Sequence, residues 1–454
     1  MAPEGIPGAV VFPLWLSKAV VACLLAASFT ATWGGIHLGG LQMADMFLVV
    51  TFVATAAMVV FGNLRFAIPP WLWTPAVALL VCVTVRIYSP IPAASFRYEH
   101  TVGSAGVPLG TAGGGAKSAF WVVALLVVPI AAMACTALEP RAPKWIVASF
   151  LAGVAVSSLF ALTDLTKITH VSRSLGYLFG QRQTGLSDHP NALGLVCVIA
   201  APFAVHFISE SQRRWLPCIA LVLLFGGVVA SGSRGAQVIL PIAVLIAVFV
   251  SPQRKKLVGW LAATLGAAML GGLIALLQLA PQILESLFRF EGKRASLDSD
   301  LDRGLLRTQA WYDFKEYPIF GIGVKHINEA HNIYLQMMSA GGVVLLSAML
   351  IYWFGTLRSC WLATRTGEAL GRYLMTSVIT WLVIGAMENQ LTDRLLYYTV
   401  GCAAALAASY RVETPAGRAT KVVAGRSSTG LPKGAPATPA VPMTKGPLIS
   451  RTSS

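Results

Sequence analysis

Apolar runs close to the ~20 residues that carry a helix across a bilayer recur along the whole chain, separated by short polar connectors. Lipid offers no partners for backbone amides, so runs of this kind must be helical. They predict helices near 9–30, 44–62, 67–87, 118–138, 145–163, 191–209, 215–231, 235–251, 257–280, 332–356, 372–388 and 395–410. The expected fold is therefore all-α: a polytopic integral membrane helix bundle of about twelve transmembrane helices. Composition agrees, since 56% of the 454 residues are hydrophobic and 12% charged, against roughly a quarter charged in soluble domains. The first run has no basic n-region and is followed by many more spans, so it reads as a retained helix and not as a signal peptide. No internal repeat of the kind that builds many secondary transporters is evident.

The loops set the orientation. With the amino terminus inside and an even number of spans, the cytoplasmic connectors hold Arg65, Arg141, Lys144, Arg213, Arg214, Arg254, Lys255, Lys256, Arg358, Arg365 and Arg372. The outer connector between the first two helices has no basic residue, and that between the seventh and eighth has Arg234 alone. This satisfies the positive-inside rule for a multi-pass protein of the cell inner (cytoplasmic) membrane. The formal net charge of +15 is then a topology and membrane-lipid signal that requires no nucleic acid partner. After Tyr410 the composition turns to Pro, Gly, Ser, Thr, Lys and Arg, which predicts a disordered cytoplasmic tail over 411–454. The seven cysteines show no metal or redox spacing and read as packing residues.

Three outer segments, roughly 88–117, 164–190 and 281–331, are longer than connection needs. The first is glycine-rich; the other two carry polar and aromatic residues at helical spacing, as in short interfacial helices. His331 and Asn332 stand where a long apolar helix begins. A helix amino terminus disfavours imidazolium and keeps the ring able to accept a proton, as a general base must; the plainer role for both residues is capping. Ser231-Gly232-Ser233-Arg234-Gly235 places hydroxyls, glycines and a guanidinium at another helix start, a fit for phosphate or simply a capped helix with an interfacial anchor. Arg303, Arg307 and Trp311 recur every four residues with Phe314 near the same stripe, while Leu301, Leu305 and Tyr312 form the opposite one. Such a helix could lie over a lipid headgroup and grip its phosphates, or merely expose a solvated face. Arg182 precedes Ser187-Asp188-His189-Pro190-Asn191, where Ser187 or Asp188 is expected to cap the next helix and Pro190 to sit in its first turn. Asp298, Asp300 and Asp302 have the look of a metal cluster, but an acidic run at a helix start is the commoner arrangement. His326 and His331, five apart, fall on different helix faces, so no metal site is expected and no cofactor is implied.

Taken in order, Arg182…Gly185…Pro190-Asn191, Ser233-Arg234-Gly235, Arg307…Trp311…Pro318-Ile319-Phe320-Gly321-Ile322-Gly323 and His331-Asn332…Tyr334-Leu335 resemble the O-antigen ligase and O-antigen polymerase superfamily of bacterial membrane proteins, over roughly 180–390. The resemblance implies a glycosyltransferase C-like helix bundle with a large extracytoplasmic loop, here 281–331, inside a ligase-like region 181–410 that follows amino-terminal helices over 1–180. It further implies metal-independent transfer of a glycan from an undecaprenyl-diphosphate carrier to an acceptor hydroxyl on a glycan, lipid or protein, at the outer face of the membrane. The family's loop histidine falls on His331 and its diphosphate-binding arginines on Arg234 and Arg307, with Arg182 a further match; Arg303, Trp311 and Asn332 complete the expected substrate-binding set. The connector between Gly323 and His331 is shorter than the family's. A transporter or flippase of lipid-linked glycans is the main alternative, but transporters place their charges near the midplane, and the spans here are almost free of charge apart from Lys18.

Overall fold

The computed structural model describes residues 12–38, 41–62, 64–91, 121–177, 179, 182–264, 266, 294–324, 330–388, 391 and 394–413. Expectations for His100, His326, most of the glycine-rich segment, most of 257–280, the side chains of Asp298, Asp300 and Asp302, and the tail after 413 fall outside them. Residues Met1–Tyr410 form one unit.

Its described residues form helices, a two-residue antiparallel ladder of His37–Leu38 with Leu41–Gln42 and an isolated bridge between Phe179 and Arg182. In chain order the helices are α1 (Leu14–Thr30), α2 (Met43–Phe61), α3 (Thr74–Tyr88, led by a tight turn at Pro70–Trp73), α4 (Val128–Leu138), α5 (Ala142–Leu165), α6 (Pro190–Glu210), α7 (Trp215–Ser231), α8 (Arg234–Phe249), α9 (Arg294–Glu316), α10 (Ile333–Arg365), α11 (Leu370–Ile384) and α12 (Arg394–Glu413). A short helical stretch also covers 254–264. Every predicted apolar run is thus met by a helix within its described part. Among the described residues, five stretches are long and apolar enough to cross a membrane: Met43–Phe61, Pro70–Tyr88, Ala142–Leu165, Pro190–Glu210 and Ile333–Arg365. Shorter apolar helices accompany them.

Helix α6 is the axis of the bundle. It packs against α5, α7, α8 and α11, and 89% of its apolar window is buried, which explains why it reads as apolar all round. Contacts between helix ends, Lys144 with Glu368 and Arg372 with Val250 O on one side and Gln183 with Ala230 O and Asn191 with Glu388 on the other, give the bundle two chemically different ends. One gathers Arg141, Lys144, Arg213, Arg214, Arg365 and Arg372 at the starts and stops of α5, α6, α7, α10 and α11. The other joins the end of α5 to the start of α6, α7 to α8, and α11 to α12. The expectation that the spans are nearly uncharged needs correction at their ends: Asp45 in the first turn of α2 is buried and pairs with Arg394 Nε at 2.8 Å, and Arg86 closes α3.

Arg86 serves the most irregular feature, a break in α10. At Gly342 the backbone takes φ 60° and ψ −153°, a region open essentially to glycine alone. The Pro318–Gly323 segment lies against the break and satisfies its backbone: Val343 N–H donates to Pro318 O at 2.8 Å, Ile322 N–H to Ser339 O at 2.7 Å and Gly323 N–H to Ala340 O at 3.0 Å. The Arg86 guanidinium donates to Gly321 O and lies 4.9 Å from the centre of the Tyr317 ring. The repeated glycines of Pro-Ile-Phe-Gly-Ile-Gly thus have a packing cause, since a methyl group on Gly321 would fall 2.4 Å from the backbone at Ala340 and Gly341.

A methyl group on Gly342 would fall 2.4 Å from the Pro318 and Ile319 carbonyl oxygens, so Gly342→Ala adds a clash to roughly 1–3 kcal/mol of backbone strain. The variant should lose several degrees of thermal midpoint in detergent or fail to insert stably. Gly304→Ala, at a helical position with nothing within 4 Å, should not. Equal midpoints for the two variants would refute this account of the break.

Candidate functional site

The end of the bundle away from the basic cluster is organised by side chains that bond to backbone. Asp164 at the close of α5 accepts from Val171 N–H at 2.8 Å and Ser172 N–H at 2.7 Å, folding the chain back into a single turn at Val171–Ser174. Ser172 Oγ accepts in turn from Thr184 and Gly185 N–H. Gln183 N–H donates to Ala230 O at 2.9 Å, laying the segment around Arg182 over the corner between α7 and α8. Arg182 Nε donates to Ser231 O at 2.8 Å, with its side chain passing over Gly232.

The cap of α6 differs from expectation. Ser187 donates its hydroxyl to Thr32 O at 2.9 Å and is thereby committed to α1, so His189 caps the helix through Nδ1, which accepts from Asn191 N–H at 3.1 Å. Pro190 holds the first turn as predicted. Asn191 then links two charges. Its Oδ1 accepts from the Arg182 guanidinium, and its Nδ2 donates to Glu388 Oε2 at 3.3 Å.

Glu388 is buried and lies 3.7 Å from His331 Nδ1. His331 precedes α10 in the left-handed region at φ 45°, an uncommon state for a residue with a side chain and one often associated with functional sites. Asn332 is the true cap: its Oδ1 accepts from Tyr334 and Leu335 N–H, each at 3.0 Å. Its Nδ2 donates to Ala386 O at 3.1 Å, and Ile333 N–H donates to Gly385 O at 2.8 Å. These bonds tie the start of α10 to the segment that carries Glu388. Arg307 Nη2 donates to His331 O at 3.3 Å, while its Nε is buried with no hydrogen-bond partner among the described residues.

Arg182, His331, Asn332 and Arg307 therefore converge. Arg234 opens α8 next to them, for Gly235 faces Met387 Sδ, the neighbour of Glu388. Arg303 is near enough for its charge to act on His189. Trp311 is not brought in: it is exposed, with Lys315 Nζ 5.5 Å from its ring centre. The predicted apolar stripe of α9 also faces outward, since Leu301, Leu305 and Tyr312 are exposed and the side against the bundle is Leu306, Gln309, Ala310 and Asp313. Asp313 accepts from Gln309 and from Ser339 Oγ, the latter at 3.0 Å. Its polar partners let a carboxyl stand where a hydrophobic stripe would be expected.

Sequence reasoning missed Glu388, Asn191 as a bridge, and His189 as a cap. Glu388 did leave a signal, being the one acid in the apolar run 372–388, and an ionisable group in such a run is a functional candidate by default. Among the described residues, no group of three or more His, Cys, Asp or Glu could hold a metal ion.

Two groups here titrate away from their ordinary values in opposite senses. Burial, then the Arg182 charge, lowers the His189 pKa from 6.5 to about 4, with His331 and Arg303 adding and Glu388 opposing. The unfolded chain therefore binds the extra proton first, and this stabilising contribution is present above pH 6.5 and lost as pH falls through about 4. Burial raises the Asp313 carboxyl from 3.8 to about 6 despite the Gln309 and Ser339 hydrogen bonds, with Glu316 adding; its contribution is complete below pH 3.8 and lost as pH rises through about 6. The stability difference between wild type and His189→Asn, which keeps a cap acceptor, should shrink on acidification across that window. The difference between wild type and Asp313→Asn should shrink on alkalinisation. Parallel pH profiles for all three proteins would contradict both assignments.

Residues 219–350 match the family model described as O-antigen ligase. The match includes Arg234, Arg303, Arg307, Trp311, His331 and Asn332, and leaves Arg182, Asn191 and Glu388 outside it. No curated protein matches the chain. Apolar helices and a matched ligase segment together support the resemblance of this membrane protein to the O-antigen ligase superfamily.

Proposed function

We propose that the chain is a membrane glycosyltransferase that moves a glycan from an undecaprenyl-diphosphate carrier to an acceptor hydroxyl on a glycan, lipid or protein, at the outer face of the cytoplasmic membrane. The observation that carries this reading is the placement of His331 beside the buried Glu388, with Arg182 and Arg307 bonded into the same cluster and Arg234 at the adjacent helix start.

In this reading Glu388 orients His331 through Nδ1. The 3.7 Å gap exceeds a hydrogen bond and is of a kind that tightens when substrates bind. Nε2 then takes the proton of the acceptor hydroxyl as that oxygen bonds to the anomeric carbon of the donor glycan. The bond from that carbon to the phosphate oxygen breaks, and the diphosphate leaves with the electron pair. Diphosphate is already a good leaving group, so the protein mainly supplies fixed positive charge and alignment. Arg307 and Arg234 hold the diphosphate, with Arg182 and Arg303 adding to the field; a buried Nε in Arg307 with no partner among the described residues suits an anionic ligand. Asn332 fixes the loop that carries the base. Trp311, exposed on α9, is assigned to the lipid portion of a substrate. Arginine charge makes the reaction independent of metal.

A broken helix such as α10 is also a habit of transporters. Here the Pro318–Gly323 segment occupies the break, leaving its backbone groups bonded to the chain itself and not to cargo, which favours the transferase.

His331→Ala should keep donor binding and lose turnover by about 10²–10⁴-fold. Arg307→Lys and Arg234→Lys should weaken donor binding and turnover together, because lysine lacks the planar fork. Glu388→Gln keeps an acceptor for Asn191 but removes the charge behind His331, so turnover should fall about tenfold or more at unchanged donor affinity. The measurement is transfer by purified protein from lipid-linked glycan, with donor binding followed separately. A folded His331→Ala protein with near-normal turnover would sink the mechanism. Transfer should also persist in EDTA, and loss restored by magnesium or manganese would move the reaction to a metal-dependent class.

A further inference from the structure

We propose that a groove at the basic end of the bundle binds the phosphate-bearing headgroup of an anionic phospholipid. The groove has a volume of about 450 Å³ and is lined by Arg214, Lys255, Lys256, Gly259, Trp260 and Ala263. Among the described residues its wall holds three cations, one indole and no carboxylate. Arg214 immediately precedes α7, and the other five lie on the helical stretch 254–264, where 256, 259, 260 and 263 recur at helical spacing along one side. Gly259 keeps the floor open, since a methyl group there would meet nothing within 4 Å.

The location makes this a site separate from the His331 cluster. Arg214 and Ser231 stand at opposite ends of the 17-residue α7, roughly 25 Å apart at 1.5 Å per residue, and it is Ser231 that accepts from Arg182. The surroundings specify a lipid over a soluble anion. Trp215, Leu216 and Ile219 on the first turns of α7 are exposed, as are Val258 and Trp260, so apolar surface for acyl chains continues directly from the cations. Indoles beside basic residues mark the level of the headgroups, and basic pockets between helices at that level select anionic lipids. The inference needs the chain to be in a membrane, but not the transfer reaction.

The test uses the full chain in nanodiscs of phosphatidylcholine with or without phosphatidylglycerol, followed by native mass spectrometry of retained lipid. Wild type should retain phosphatidylglycerol in preference to phosphatidylcholine. The triple variant Arg214→Gln, Lys255→Gln, Lys256→Gln should lose that preference by about tenfold to a hundredfold, given the contribution of each basic residue near an anionic lipid. Removing the same charge elsewhere at this end, with Arg141→Gln, Arg213→Gln and Arg358→Gln, should change it by less than about twofold. Gly259→Leu fills the floor while leaving every charge and should also abolish retention, which covers the case of a triple variant that fails to fold. Equal losses in the two charge triples would reduce the groove to diffuse attraction and overturn the site. Full retention by Gly259→Leu would overturn it as well. Displacement of the lipid by soluble glycerol phosphate as readily as by phosphatidylglycerol would reassign the groove to a free phosphate ligand. Transfer activity does not enter the readout, so failure of the glycosyl-transfer reading leaves this result interpretable.

Discussion

Inside hydrocarbon, every backbone N–H and C=O must find its partner within the protein, and the constraint bites hardest where helices begin, end or break. In this chain those points gather the polar side chains of the candidate site. His189 caps α6 and Asn332 caps α10, while Asp164 takes the amides of the returning turn after α5. The broken α10 borrows the backbone of Pro318–Gly323. Side chains recruited for these tasks have fixed positions, and fixed positions are what a reaction needs from its catalytic groups. Capping and function are therefore not competing explanations for the Asp-His-Pro-Asn and His-Asn runs. Asn191 receives an amide-capped start from His189 and also bridges Arg182 to Glu388.

The cluster is electrostatically mixed by necessity. Several arginines converging in a partly buried place would repel one another and lose hydration, and Glu388, 3.3 Å from Asn191 Nδ2 and 3.7 Å from His331 Nδ1, brings a negative charge that offsets this. The guanidinium of Arg307 keeps a buried N–H without a partner among the described residues, and such a group is costly unless a ligand arrives. Burial first, then the Arg182 charge, hold the His189 pKa down at about 4.

The helices were legible from sequence because the apolar runs are long and the requirement behind them is physical: lipid admits no other backbone state for a spanning segment. The convergence of Arg182, Arg307 and His331 was legible only as a resemblance, because nothing in the spacing says that 182 and 331 meet. Caps were misread where a competing long-range bond decided the outcome. Ser187 would serve α6 well, but its hydroxyl is taken by Thr32, far away in sequence. The apolar stripe of α9 is exposed, and its period does not reveal which residues pack against the bundle. Gln309 and Asp313 occupy the side against the bundle, Asp313 accepting from Gln309 Nε2 and from Ser339 Oγ, which period-counting cannot anticipate. Glu388 is the one acid in the apolar run 372–388, but nothing in that run shows that the fold brings its end to His331.

The two ends of the bundle solve different electrostatic problems with the same residue types. At the basic end of the bundle Arg141, Lys144 and Arg213 are exposed; the ion pair between Lys144 and Glu368 is long at 3.7 Å and open to solvent, so it constrains little. Charges of that kind act on a surface and fade with salt. At the His331 end the arginines are partly buried and directed by hydrogen bonds to Ser231 O, Asn191 and His331 O, so their position is specified to within a hydrogen-bond length. Only the second arrangement can discriminate a transition state from a ground state, because discrimination requires donors fixed before charge develops. The net positive charge of the chain is thus one number covering two arrangements, one largely exposed and one partly buried and held by hydrogen bonds.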